Sequence, residues 1–187
     1  MNRSISRWSA LFALALAAGT VTSVMAVPSG AATTPMQVCR TVKGSATFTP
    51  GLTNTARDNT VKAHGNMTNC TGRKAGPKTG GSGVLTATIK VVKGSCLKLA
   101  TGKQTIKGTA KTVWKNKKIS NYALTLKTGS GTAGSTTATI TGKVTNGLFK
   151  GHSVTGQIKF AVQGTPNCTT KPVKSVTFHN TKAFIIH

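Results

Sequence analysis

A two-residue rhythm constrains this chain more than anything else: apolar side chains alternate with Thr, Ser and Lys along one segment after another. Over 83–92, Leu85, Ala87, Ile89 and Val91 share one face and Thr86, Thr88 and Lys90 the other. Over 104–114, Ile106, Gly108, Ala110 and Trp114 oppose Thr105, Lys107, Thr109 and Lys111. Successive side chains of an extended strand point to opposite faces, so the pattern describes strands with one dry and one wet side, as in antiparallel sheets. The same rhythm predicts strands near 40–48, 60–68, 119–127, 137–145, 153–162 and 173–185, about eight in all. Turn residues separate them at Pro50-Gly51, from Gly76-Pro77 to Gly83, at Asn116-Lys117, from Gly129 to Gly134 and at Asn146-Gly147. No segment has the periodicity of a helix of ordinary length, and a chain without Glu and with few Leu disfavours helix further.

Short strands in close succession, with no helices between them, build either an antiparallel β-sandwich or a small closed β-barrel. Both use the same inward and outward alternation. The expectation is a single all-β sandwich of about eight strands, with the closed barrel as the alternative. The run Ala183-Phe184-Ile185-Ile186 is too apolar to hang in water, so the last strand is expected to pack into the sheet.

Residues 1–26 read as a secretory signal peptide, with a basic start at Arg3 and Arg7, an apolar run from Trp8 to Ala18, and a cleavage site after Ala26. Gly30-Ala31-Ala32 offers a second site, so cleavage falls as late as Ala32 in the alternative reading. The apolar run is shorter than the roughly 20 residues of a bilayer span. The mature chain is therefore expected to be extracellular and without a transmembrane segment. A flexible stretch over 27–38 and one all-β domain over 39–187 would follow, a size that supports a single core. Export makes disulfides plausible, and Cys39, Cys70, Cys96 and Cys168 are even in number and lack close zinc-site spacing. Of three possible pairings, Cys39–Cys70 with Cys96–Cys168 is preferred, because each would tie a strand start to a nearby strand end.

Chemistry is constrained mainly by scarcity. Asp58 is the sole acidic residue, whereas glycosidases, calcium loops, two-metal hydrolases and Glu-assisted zinc hydrolases all need more carboxylates. Asp58 lies in a turn-like stretch, where bonding its own backbone or neutralising Arg57 is the expected role. His64, His152, His179 and His187 show no H-x-H spacing, and His64 and His179 fall on polar strand faces, so surface histidines are expected. Gly129-Ser130-Gly131-Thr132-Ala133-Gly134 fits G-x-G-x-x-G, but strand follows it where a dinucleotide site needs a helix, so it reads as a hairpin loop. No enzyme activity, cofactor or metal is expected.

What remains is the charge. The chain has 25 Lys and Arg against one acid, a formal net charge of +24. Only Arg40, Arg57 and Arg73 lie beyond the export segment; the other cations are Lys, which suit diffuse attraction to polyanions better than bidentate recognition. The densest place is 111–118, where Lys111, Trp114, Lys115, Lys117 and Lys118 form a candidate polyanion-binding loop if Asn116-Lys117 is a hairpin tip. The competing role is structural, with Trp114 in the core and the lysines keeping strand edges unpaired. Nucleic acid would bind such a surface non-specifically in vitro through counterion release, and no nucleic-acid-recognition motif is present.

The segments CRTVKGSATFTPGLT, NMTNCTG, SGVLTATIKVVKGSC and GTAKTVWKNKKIS resemble those of small secreted β-rich proteins of actinobacteria. The resemblance implies an extracellular β domain with two disulfides and supplies no functional residues. The expected function is electrostatic attachment to anionic cell-envelope polymers. The alternative is a cationic secreted inhibitor or antimicrobial factor acting on another protein or a membrane.

Overall fold

The structure, a computed structural model, describes residues 35–72, 80–102, 104–129, 135–162, 168 and 170–187. Eight strands follow one another: β1 (Gln37–Leu52), β2 (Arg57–Gly72), β3 (Gly83–Gly94), β4 (Thr105–Trp114), β5 (Ile119–Thr128), β6 (Ser135–Gly147), β7 (Ser153–Val162) and β8 (Val173–Ile186). Each pairs antiparallel with the next, and β8 returns to pair with β1, so the sheet closes as an up-and-down barrel. Of the two architectures that alternation allowed, the barrel is the one built, and the sandwich is not. Closure is decided by the β1–β8 ladder, which joins the two ends of the chain and leaves no trace in local periodicity. β8 is thus the closing strand, and its Phe184 and Ile186 are buried.

The interior holds the apolar faces, among them Val42, Val61, Ile89, Leu124, Ile140 and Val176, and the exterior carries Lys, Thr and Ser. A barrel crossing a membrane wears its apolar band outside, so this alternation is the reverse of that arrangement. Two glycines make close approach possible. A Cβ on Gly44 or Gly65 would stand 2.8 or 2.9 Å from Phe178 Cζ, so the paired glycines of β1 and β2 make room for that ring inside the barrel.

Consecutive hairpins alternate between the two mouths. At one mouth, the β3–β4 connection contains α1 (Cys96–Thr101), capped by Ser95, whose hydroxyl accepts from Lys98 N, and ended by Gly102 at φ 75°. A helix of only six residues is too short to show a period, which is why the sequence gives no sign of it. Three neighbours hold it. Cys96 N donates to the Thr53 carbonyl, Thr136 Oγ1 donates to the Leu99 carbonyl, and Cys96 is disulfide-bonded to Cys168 of the β7–β8 connection. The other mouth is filled by side chains: Trp114 meets Phe149 edge to face at 5.8 Å, and Gly80 N donates to the buried Gln37 side chain at 3.2 Å. There Cys39–Cys70 joins the start of β1 to the end of β2.

Two boundaries differ from the sequence reading. The sheet begins at Gln37, inside the stretch expected to be flexible, because Met36 N bonds the Ile186 carbonyl and Gln37 is fully buried. Pro50-Gly51 belongs to β1 and not to a turn. It lies where the ladder to β8 shifts register, the place a residue without an N–H is tolerated, and Asn59 Nδ2 donates to the Pro50 carbonyl from β2.

The disulfides close loops of 31 and 72 residues, which the chain-entropy account values at about 3.7 and about 4.4 kcal/mol. The pair Cys96→Ala with Cys168→Ala should lower the unfolding free energy by about 4 kcal/mol in denaturant titration. Because that bond also pins α1, hydrogen exchange at Leu99 N should rise more than at Val42 N; equal protection loss at both would show that the helix is held without it.

Candidate functional site

The hairpin between β4 and β5 has its tip at Asn116-Lys117, as the turn residues predict. Lys117 N donates to the Trp114 carbonyl at 2.8 Å, Trp114 N to the Lys118 carbonyl at 2.9 Å, and Lys118 N to Asn116 Oδ1 at 3.0 Å. Lys117 takes φ 64°, a left-handed backbone that ends the tight loop. Lys115, Lys117 and Lys118 are exposed together at this tip, and the last two border a shallow groove floored by Ile119, Gly147, Leu148 and Phe149. Lys111 is exposed on the outer face of β4, opposite Thr86 and Asn121, roughly 10 Å below the tip at strand rise, so it does not join the cluster.

Trp114 does not offer an aromatic face. It is 2% exposed, its Nε1 donates to Ser120 Oγ at 2.8 Å, and it forms part of the mouth plug with Phe149. Its place at an inward position of β4, alternating with Lys111 and Val113, accounts for this. The expected five-residue loop therefore reduces to three lysines.

The registers reveal a wider arrangement that pattern reading along one strand misses. Every strand carries an exposed outward lysine: Lys43, Lys62, Lys90, Lys107, Lys127, Lys143, Lys159 and Lys174 run from β1 to β8. Among the described residues no lysine stands directly opposite another across a ladder. Lys62 faces Thr47 and Thr88, Lys127 faces Thr105 and Thr139, and Lys107 faces Thr125. Like charges directly opposite destabilise a sheet, so this interleaving with hydroxyls lets the exterior carry its charge all round the barrel. His179 is exposed between Lys43 and Lys159 on its two neighbours.

The remaining titratable groups are built into the fold. Asp58 does not neutralise Arg57; its Oδ1 accepts from Lys93 N at 2.8 Å, bracing the end of β3 at the β2–β3 register shift. His64 is exposed, whereas His152 and His187 are half-buried and joined, with His152 Nδ1 donating to the His187 carbonyl and His187 Nε2 standing 3.0 Å from Thr155 Oγ1. These two are therefore not free surface histidines. Among the described residues no three of His, Cys, Asp and Glu cluster. The G-x-G-x-x-G segment falls mostly at 130–134, outside the described residues. No protein-family model, no curated protein and no solved structure matches the chain.

One buried group has a perturbed titration. Tyr122 is 1% exposed, and burial pushes its phenol from 10.0 up to about 12 despite the nearby hydroxyls of Thr112 and Ser120. Those hydroxyls bond elsewhere, Thr112 to Met67 Sδ and Ser120 to the Leu148 carbonyl, and Tyr122 Oη has no partner in hydrogen-bond geometry. The unfolded phenol ionises first as pH rises, so stability is intact below pH 10 and falls as pH climbs toward 12, by about 2 to 3 kcal/mol. Tyr122 is the only tyrosine, so phenolate absorbance reports it alone. The titration midpoint should lie near 12 in the folded protein, and Tyr122→Phe should flatten the stability loss between pH 10 and 12. A midpoint at 10 in protein that is still folded would contradict the buried placement.

Proposed function

We propose that this protein is a secreted, non-catalytic barrel that attaches through its lysine exterior to anionic polymers of the cell envelope. The observation that carries this reading is the outward lysine on every strand, facing mostly hydroxyl or amide side chains across the ladders and, among the described residues, never another lysine. Such a surface has no preferred point for one small anion. It suits a long, repetitively charged chain that can lie across several strands and release counterions from each contact, as teichoic acids or acidic polysaccharides do. The N-terminal export pattern supports delivery to that compartment. So do the two disulfides, which persist where thiols are not kept reduced, and the resemblance to secreted β-rich actinobacterial proteins. Lysine in place of arginine fits loose, exchangeable attachment.

Purified mature protein should be retained by isolated cell walls, less so by walls stripped of teichoic acid, with retention falling steeply as salt rises through the Debye regime. Attachment spread over the barrel further requires that replacing Lys115, Lys117 and Lys118 by Gln weakens binding no more than replacing Lys43, Lys62 and Lys90. A disproportionate loss in the first variant would confine binding to the hairpin tip. Retention indifferent to salt and to the polymer would refute the proposal and favour a specific protein partner, as an inhibitor would have.

A further inference from the structure

Between the two plugged mouths the barrel encloses a cavity of about 100 Å³ whose lining is almost entirely carbon. Its origin is a row of small residues. Ala46 of β1 stands opposite Ala63 of β2, Ala63 opposite Ala87 of β3, and Ala87 opposite Ala110 of β4. All four face inward, and the first three line the cavity, so half the circumference of the barrel at this level is walled by methyl groups. Eight strands enclose a space that side chains just fill or that holds one small ligand; an alanine belt at mid-height selects the second case. Gly156 on β7 withdraws a further side chain from the same space.

The polar members of the lining gather mainly at one place. Gln157, Asn180 and Lys182 meet where β8 is out of register with both neighbours, between Cys39 and Lys43 on the β1 side and between Thr155 and Ile158 on the β7 side. Side chains replace the missing ladder bonds there. Asn180 Oδ1 accepts from Val42 N at 2.8 Å, and Asn180 Nδ2 donates to the Arg40 carbonyl at 2.8 Å. Lys182 occupies an inward position of β8, between the buried Phe178 and Phe184 in strand parity, yet it is exposed. Its stem therefore borders the cavity while its ammonium reaches water through the interrupted wall.

An apolar chamber with a lone cation at its lateral opening suits a small amphiphile with an anionic head. Independently of the role of the exterior, we infer that the barrel interior binds one medium-chain carboxylate. About four carbons of the apolar body lie along the alanine belt, since this cavity of about 100 Å³ has two thirds of the volume of one that takes benzene, and the remaining methylenes run from the belt to the interrupted wall. The carboxylate sits at the Gln157–Lys182 seam. Nothing else in the lining would hold the head: the opposite wall is aliphatic, and Thr128 near the α1 mouth already bonds Gln104.

The test uses octanoate, octanol and benzene against the mature protein with both disulfides intact, followed by calorimetry and by the methyl resonances of ¹³C-alanine-labelled protein. Octanoate should bind with 1:1 stoichiometry and shift the methyls of Ala46, Ala63 and Ala87 more than those of Ala123, which faces solvent on β5. Lys182→Gln should weaken octanoate about fivefold and leave octanol unchanged. Ala63→Leu with Ala87→Leu should abolish binding of all three probes while the far-ultraviolet spectrum stays that of the barrel. Multisite octanoate binding that shifts no belt methyl would place it on the surface lysines and overturn the inference, as would no binding at all. Octanol or benzene binding as tightly as octanoate, or octanoate indifferent to Lys182→Gln, would overturn the assignment of the head group. The methyl shifts decide the question even if the double leucine variant does not fold.

Discussion

Everything in this molecule depends on the β1–β8 ladder. Seven hairpins could equally have produced an open or split sheet, and only when β8 lies against β1 does each inward face find the others across a common interior. Yet this ladder and the β7–β8 ladder are the two that shift register more than once. The β1–β8 ladder shifts register twice, and the side chain of Asn180 spans one shift in place of backbone bonds. A closing strand that must meet one neighbour at the chain's beginning and another beside it has little freedom of register, and bulges absorb the mismatch. The interruption in the wall is thus a consequence of closure and not a separate device. It also gives Lys182 its position at an inward register with an exposed head.

The interior is graded along its axis. One mouth is dense with large side chains, where Tyr122 meets Phe184 edge to face at 6.0 Å beside Trp114, Phe149 and Met67. The middle is thin because four alanines stand in one row, and the other mouth is covered by a six-residue helix. A short helix has almost no stability of its own. Its place depends on Ser95, on two hydrogen bonds from the loop and β6, and on the disulfide to Cys168. The two disulfides serve opposite mouths, each binding together elements that a modest apolar core would hold weakly.

Much of this was legible in the sequence, and the reason is physical: alternation is a local property of each strand, so all eight strands were visible, as was the packing of the apolar run 183–186 into the sheet. The favoured disulfide pairing followed from strand ends and is the one formed. What escaped is non-local. Closure, the alanine belt and the lysine interleaving exist only across ladders, where Ala46, Ala63, Ala87 and Ala110 are far apart in the chain but adjacent in space. For Trp114 two roles stood side by side, an aromatic surface among lysines and a core residue in parity with Ala110, and the core role is the one the fold uses. Parity within a strand is a better guide to burial than the charge of the residues on either side. Asp58 shows the same limit, since its partner Lys93 lies on the next strand.

The exterior and interior solve opposite problems with the same alternation. Beyond the export segment 23 cations stand against one acid, a net charge of +22 that repels itself, and the cost is limited by facing lysines such as Lys62, Lys107 and Lys127 with threonine and by keeping the lysines of the described residues exposed to water. Threonine serves twice here, since its branched side chain favours extended backbone while its hydroxyl separates charges. On the inner face the constraint is volume, and of the four alanines at successive registers, Ala46, Ala63 and Ala87 leave space that a leucine at any of the three would occupy. A sequence selected for stability alone would fill that space, because each missing methylene forgoes packing. The alanine row forgoes that packing in a chain already burdened by charge repulsion, and the inferred ligand would restore on binding the contacts the row gives up.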